Sequence, residues 1–369
     1  MKSEKNRKRV LFAGGGTAGH LMPAINIARE MVILNNEIVP HFVGKKNGME
    51  SRIVKNNGFE IDEIDVIGMR RTISGIIKFA VKWFSGYRQA KNIINDTSPV
   101  AVVGTGGYIS APVVKAAYRK GIPIFLQEQN SLPGLASRTL SRYALVIFTA
   151  YESAAKYLNR AKCVMIGNPV RTDITSGDRI RSLQIFDLDS QMNTLLVLGG
   201  SSGARAINLA VLNFIKGDRL PDDWQILWQT GENDYQFIRS SVSPDENRIK
   251  ILAFIDDMPA AYSASDLVIS RAGAMALSEI TAVGLPSVLI PFPYATGDHQ
   301  TLNAKALEES GAAVIIPEKE MNKKLEDIVR DLFNNASKRR SMSENARHLG
   351  KPGAAKAIAK TILEKIDEI

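Results

Sequence analysis

Short apolar runs rich in Val, Ile and Leu alternate along the chain with longer stretches of helical periodicity. In the first half the runs fall at 10–13, 38–43, 100–103, 123–126, 145–148 and 164–166; in the second they fall at 195–198, 225–228, 250–253, 267–269, 287–290 and 313–316. They are continuous rather than alternating, as parallel strands covered on both faces must be. Helices between them imply right-handed βαβ crossovers. The pattern therefore predicts an α/β chain built from two Rossmann-like, doubly wound parallel sheets.

The two halves open alike. LFAGGGTAGH at 11–20 and LVLGGSSGAR at 196–205 each read as a strand, a glycine-rich turn and a helix start. With 369 residues there is room for two domains of ordinary size. The expected domains are 1–167 and 168–350, with the NPVR segment at 168–171 as a hinge, because Pro restricts the residue before it. A last helix within 351–369 is expected to pack back on the first domain. Two such lobes would leave an interdomain cleft at the carboxyl ends of both sheets, where open α/β sheets bind ligands.

Composition narrows the chemistry. The single cysteine, Cys163, rules out an intramolecular disulfide and a cysteine metal cluster. The basic start of the chain is followed by too short an apolar stretch for a signal peptide, and no apolar run nears the roughly 20 residues that span a bilayer. The net charge of +9 suits solubility, an anionic membrane surface or a polyanionic ligand. Without a basic-aromatic motif or zinc-finger spacing, nucleic acid is not the expected partner.

Glycine turns carry the candidate chemistry. GGGTAG at 14–19 fits G-x-G-x-x-G, a cradle of backbone N–H groups at a helix N-terminus for an anion. A nicotinamide enzyme would place an acidic residue after the second strand, whereas Gly44-Lys45-Lys46 stands there. Three further turns follow strands, GTGG at 104–107, GGSSG at 199–203 and RAGA at 271–274. A dinucleotide enzyme needs one such loop; four point to several phosphate or sugar-phosphate contacts, with repeated structural turns as the alternative. His20 lies in the first turn of a helix, where the positive terminus favours a neutral imidazole able to accept a proton from a hydroxyl. Gln127, Glu128, Gln129 and Asn130 end a strand, where substrate groups gather, and Glu279 is placed to accept hydrogen bonds from a ribose. Asp256-Asp257 reads as a helix start before Met258-Pro259 rather than a metal site, and Asp298-His299-Gln300 as polar ligand-facing residues.

The segment 72–90 reads as a helix with Ile73, Ile76, Ile77, Ala80, Val81 and Phe84 on one face. Phe79, Trp83 and Tyr87 widen that face past the about 100° a core-facing stripe needs, and Arg70, Arg71, Lys78 and Lys82 flank it. Such a face fits an interfacial membrane helix, with burial of the whole stripe in the first domain as the alternative.

Taken together the motifs resemble the MurG family of bacterial peptidoglycan glycosyltransferases. The resemblance runs over essentially the whole chain. It includes GGGTAGH at 14–20, GTGGYISAP at 104–112, QEQN at 127–130, NPVR at 168–171 and GGSSGAR at 199–205. FIDDM at 254–258, RAGAMALSE at 271–279 and DHQTLNA at 298–304 complete it. It implies a GT-B fold and transfer of N-acetylglucosamine from UDP-N-acetylglucosamine to a polyprenyl-diphosphate-linked muramoyl-pentapeptide, with inversion at the anomeric carbon and no cofactor or metal. Matching positions imply donor contacts from Thr17, Ala18, Gly19, Asn130, Arg171, Ser201, Ile255, Ala274, Met275, Ala276, Leu277, Ser278, Glu279 and Gln300. His20 is the first candidate base and Glu128 the second. Work at the cytoplasmic face of the cell membrane, as a peripheral protein, is the implied setting. Many members carry His at the position of Gln127 and Gln at that of Ser202. A nonhydrolysing UDP-N-acetylglucosamine epimerase, another GT-B transferase, an NAD(P) oxidoreductase and a non-enzymatic sugar-nucleotide sensor are the competing readings.

Overall fold

The computed structural model describes residues 7–369 apart from 70–71, 201–202, 218–219 and 244–245, so Arg70, Arg71, Ser201 and Ser202 lie outside the described residues. The chain divides into two compact units, Met1–Arg171 with Gly353–Ile369, and Thr172–Pro352.

The first unit carries a parallel sheet of β1 (Lys8–Gly14), β2 (Ile38–Lys45), β3 (Glu60–Ile64), β4 (Ala101–Gly106), β5 (Ile124–Glu128), β6 (Val146–Thr149) and β7 (Cys163–Met165). Their order is β3-β2-β1-β4-β5-β6-β7. Helices α1 (Ala18–Leu34), α2 (Met49–Asn56), α3 (Ile73–Thr97) and α4 (Gly107–Arg119) supply crossovers between the first five strands. Both faces of β1 are closed. Val10 and Phe12 pack with Ile25 of α1 and Ile358, while Leu11 and Ala13 pack with Val113 and Val114 of α4. This two-sided burial is what makes the strand read as an unbroken apolar run. The strand β3 escaped the sequence reading because it is an edge strand, EIDEI, whose acidic alternation leaves only Ile64 fully buried.

The second unit repeats the plan with β8 (Asn193–Leu198), β9 (Trp224–Gln229), β10 (Ile249–Leu252), β11 (Leu267–Ser270), β12 (Ser287–Leu289) and β13 (Ala313–Ile315), in the order β10-β9-β8-β11-β12-β13. Its core joins Leu195 and Val197 to Ile207 and Val211 of the helix Arg205–Lys216 and to Leu325 and Val329 of the helix Met321–Asn334. Asp257 caps the helix Met258–Ser263, its carboxylate accepting from Ala260 N at 3.0 Å with Pro in the first turn, so the expected helix start is present.

The boundary between the units falls at Arg171/Thr172 instead of 167/168. Asn168 accepts from Gln127 Nε2 at 3.0 Å and donates to Gln129 O at 3.1 Å, and Pro169 O accepts from Asn26 Nδ2 at 2.8 Å. The first two residues of the segment read as a hinge are thus fastened to the first unit. The helix Ala354–Asp367 also belongs there, its Ile358 and Ile362 fully buried with α1 side chains.

The helix α3 begins after Thr72, whose hydroxyl accepts from Gly75 N at 3.1 Å. The aliphatic stripe is exposed, so the alternative of burying the whole stripe does not hold: Ile73 is 82%, Ile77 62%, Val81 64% and Phe84 57% accessible. Phe79, Trp83 and Tyr87, which were expected to widen an exposed face, are half-buried, with Trp83 stacked on Tyr87 at 5.7 Å. The two sets, read as one widened face, are thus divided, the aliphatic one outward and the aromatic one partly inward.

The C-terminal helix closes one face of the first sheet, so Ile358→Ala should lower the stability of that unit by about 2–5 kcal/mol. Urea unfolding followed in the first unit is the check. A loss below about 0.5 kcal/mol, the range of ordinary surface substitutions, would contradict the packing.

Candidate active site

In each sheet the strand order reverses direction at one place, between β1 and β4 in the first unit and between β8 and β11 in the second. A crevice outside the carboxyl ends of the strands forms at such a switch point. All four glycine turns found in the sequence sit there.

In the first unit the turns after β1 and β4 lie backbone against backbone. Gly107, at φ +76°, has its Cα so near the Gly15 carbonyl that a Cβ would overlap it. Gly106, at φ +100°, faces the His20 ring, and a Cβ there would stand 2.8 Å from Nδ1. Only glycine meets both the left-handed conformation and the contact. Thr105 Oγ1 donates to His20 O at 2.7 Å, which ties the start of α1 to β4.

The turn is less open to an anion than its composition suggests. Gly16 N donates to Glu50 Oε1 at 2.6 Å, and Glu50 is 1% exposed at the start of α2. Among the described residues no donor reaches its other carboxylate oxygen. Its charge, after burial, also pushes the Tyr108 hydroxyl pKa up. The expected cradle therefore shrinks to the first turn of α1. There Thr17 and Gly19 are exposed and Ala18 half-buried, and the helix N-cap makes no side-chain hydrogen bond. His20 N already donates to Thr17 O at 3.2 Å, so the N–H groups that a helix start offers a ligand are those of Ala18 and Gly19.

His20 is half-buried, with Nδ1 2.9 Å from Gln129 Oε1. Gln129 in turn donates to Thr105 O at 2.8 Å and to Gln127. Glu128 is 2% exposed, and one of its oxygens accepts from Asn130 N at 2.9 Å and Asn130 Nδ2 at 3.2 Å. The two candidate bases thus have different settings, His20 on a chain of neutral amides and Glu128 orienting Asn130. Arg171 is half-buried at the end of the unit.

In the second unit Gly203 N closes the turn after β8 by donating to Gly200 O at 3.0 Å. Gln229, at the end of β9, joins this turn to the next one: its Nε2 donates to Gly200 O at 3.0 Å and its Oε1 accepts from Ile255 N at 2.9 Å. The helix Ala274–Val283 starts after Gly273, and its N-terminus carries the positive end of the helix dipole, which favours an anion. Ala274 is buried and Met275 and Ala276 are half-buried. Leu277 is fully buried in a core cluster with Ala304 and Leu307, so within the stretch expected to touch a donor it serves packing. Ser278 Oγ donates to Ala274 O at 2.9 Å. Glu279 accepts from the buried Tyr262 hydroxyl at 3.0 Å. Burial, and then the Glu279 charge, holds the Tyr262 pKa far above its ordinary value, so the phenol stays a donor. Gln300 Oε1 accepts from Phe292 N at 2.9 Å, which leaves its amino group as its remaining donor. A cavity of about 550 Å³ lined by Ser263, Asp266, Arg339 and Arg347 opens at the other, amino-terminal ends of β11 and β12. Among the described residues no three His, Cys, Asp or Glu side chains converge as a metal site would need.

Glu50, Gln229 and Tyr262 were not picked out from the sequence. Their partners lie 34, 26 and 17 residues away, beyond any local pattern.

Residues 10–149 match the model of the glycosyltransferase family 28 N-terminal domain and residues 194–361 that of its C-terminal domain. The class is thus a two-domain GT-B glycosyltransferase. The curated UDP-N-acetylglucosamine–N-acetylmuramyl-(pentapeptide) pyrophosphoryl-undecaprenol N-acetylglucosamine transferase of Desulforamulus reducens is 39% identical over 368 residues, 97% of this chain and 98% of that one. The crystal structure of Acinetobacter baumannii MurG superposes with a TM-score of 0.74 at 28% identity, covering 97% of this chain and 99% of the other. The chain belongs to the MurG family. A UDP-GlcNAc 2-epimerase from Neisseria meningitidis is also similar, with a TM-score of 0.66 over 97% of this chain and 100% of its own, but at 14% identity that likeness is one of fold.

Gln229 holds two turns at once, so Gln229→Leu should strand both a donor and an acceptor in a buried setting, at about 1–3 kcal/mol for each. Hydrogen exchange at Ile255 N should accelerate by about tenfold or more. Unchanged protection would show that the turn after β10 holds its shape without the bridge.

Proposed function

We propose that the protein transfers N-acetylglucosamine from UDP-N-acetylglucosamine to undecaprenyl-diphospho-N-acetylmuramoyl-pentapeptide (lipid I), giving lipid II for peptidoglycan. The observation that carries this reading is full-length similarity to a relative named for that reaction, with glycine turns at both switch points. Donor nucleotide binds the second unit. Its diphosphate faces the N-terminus of the helix Ala274–Val283, and Glu279, held by Tyr262, accepts the ribose hydroxyls. Thr17, Ala18, Gly19, Asn130, Arg171, Ser201, Ile255 and Gln300 complete the proposed donor contacts. The acceptor diphosphate meets the turns of the first unit.

The acceptor hydroxyl oxygen attacks the anomeric carbon and forms the new glycosidic bond, while the bond from that carbon to the diphosphate breaks and UDP departs. The configuration inverts. His20 takes the hydroxyl proton, and the charge gathering on the diphosphate is met by first-turn N–H groups and the helix dipole. With labelled UDP-N-acetylglucosamine, label should enter the lipid fraction only when a polyprenyl-diphospho-muramoyl acceptor is present. Release of an epimerised sugar with no acceptor would overturn the assignment.

Glu279→Gln should weaken UDP by about 1.5–3 kcal/mol, tenfold to a hundredfold, because an amide accepts the ribose hydroxyls less strongly than a carboxylate. Calorimetric affinity equal to the parent's would remove Glu279 from the nucleotide site.

The exposed stripe of α3 gives the protein a peripheral membrane face, which suits a lipid-linked acceptor. No described helix is long and apolar enough to cross a membrane. Ile73, Ile77, Val81 and Phe84 would enter the headgroup boundary, and the exposed Lys78 adds about 1 kcal/mol against anionic lipid. Lys82 is already paired with Asp65. Changing Ile77 and Phe84 together to Ser should cut co-sedimentation with anionic vesicles by about tenfold or more while leaving UDP affinity unchanged. Equal sedimentation of parent and double variant would sink the membrane role of this helix.

A further inference from the structure

We propose that Gln129 is a positioning residue that holds His20 as the Nδ1-protonated tautomer, so that Nε2 carries the lone pair that takes the acceptor's proton. This rests on the reading of His20 as the base and specifies which nitrogen acts and why.

The orientation of the Gln129 amide is fixed by its surroundings. Its Nε2 is 2.8 Å from Thr105 O, 3.3 Å from Gln127 O and also against Gln127 Oε1. All three are acceptors, so reversing the amide would set oxygen against oxygen three times. Gln127 cannot swing away to relieve this, because its Nε2 donates to Asn168 Oδ1 at 3.0 Å. Asn168 Nδ2 donates back to Gln129 O at 3.1 Å and closes a ring of amides. Gln127, Gln129 and Asn168 are each no more than 2% exposed, so no water competes for these groups.

Gln129 Oε1 is therefore the atom that faces His20 Nδ1, at 2.9 Å. An amide oxygen only accepts, so Nδ1 must carry the hydrogen. In the neutral ring the lone pair is then on Nε2. The ring cannot turn its Nδ1 edge elsewhere cheaply, since that edge lies against Gly106 Cα and the backbone below it is held by Thr105.

A neutral partner also has a consequence that a carboxylate would not. It fixes the tautomer through a hydrogen bond alone, with no charge on the partner.

The test uses the full chain with Gln129→Met and His20→Ala. Gln129→Met removes the acceptor, lets both tautomers populate and should lower kcat about tenfold, with UDP affinity unchanged. Nitrogen NMR of protein labelled at its four histidines, with the His20 signals identified by their loss in His20→Ala, reads the tautomer directly. The parent should show a protonated Nδ1 and an unprotonated Nε2 above the titration, and Gln129→Met a mixture. A parent ring protonated at Nε2, or a single Nδ1-protonated tautomer retained in Gln129→Met, would overturn the positioning role. Full turnover in His20→Ala would instead remove the base assignment, and the NMR signature would separate that failure from this one.

Discussion

Much of the first unit's site depends on one close approach, the backbone of the turn after β4 lying on the backbone of the turn after β1. With a side chain at Gly106 or Gly107 the two turns would part, because a Cβ would meet the His20 ring or the Gly15 carbonyl. The contact does two things. It brings Thr105 to His20 O, which anchors the first turn of α1, and it presents the His20 ring edge to the buried Gln129 amide. A parallel sheet of order 3-2-1-4 puts these turns side by side by topology alone. Glycine then allows the last few tenths of an ångström.

The two units answer to the same topology with different chemistry. Around the first switch point the buried groups contacting His20 and one another are neutral amides, Gln127, Gln129 and Asn168. Such a ring can orient an imidazole and choose its tautomer. Around the second, a carboxylate is held by a phenol that burial keeps protonated, near the N-terminus of the helix Ala274–Val283. That pairing of a hydroxyl-accepting group with an anion-ready terminus suits a nucleoside diphosphate, and it fits the assignment of the nucleotide to the second unit.

The strands were legible in the sequence wherever burial was two-sided. Val10, Leu11, Phe12 and Ala13 are all fully buried, so no polar residue interrupts the run. The edge strand β3 was not legible, because Glu60, Asp62 and Glu63 alternate with apolar residues as they would in a solvated turn or helix. In α3 the period was clear but its direction was not. Ile77 and Phe84 look like core by type, yet they face solvent, while Trp83 finds Tyr87. Glycine turns, His20 and Glu279 could be placed from local motifs. The groups that orient them could not, since Glu50, Gln229 and Tyr262 act across tens of residues and resemble ordinary polar positions. Glu50 also changed the meaning of a motif, since it occupies the Gly16 N–H that the fingerprint would have offered to phosphate.

Hydrogen exchange with and without saturating UDP tests the division of labour most directly. Slowed exchange is expected in the turn after β8, at Ile255 and through the first turns of the helix Ala274–Val283, with α1 and the turn before it close to their unliganded rates. Protection centred instead on the turn after β1, with the second unit unchanged, would contradict it and return the first glycine turn to the role of a nucleotide site.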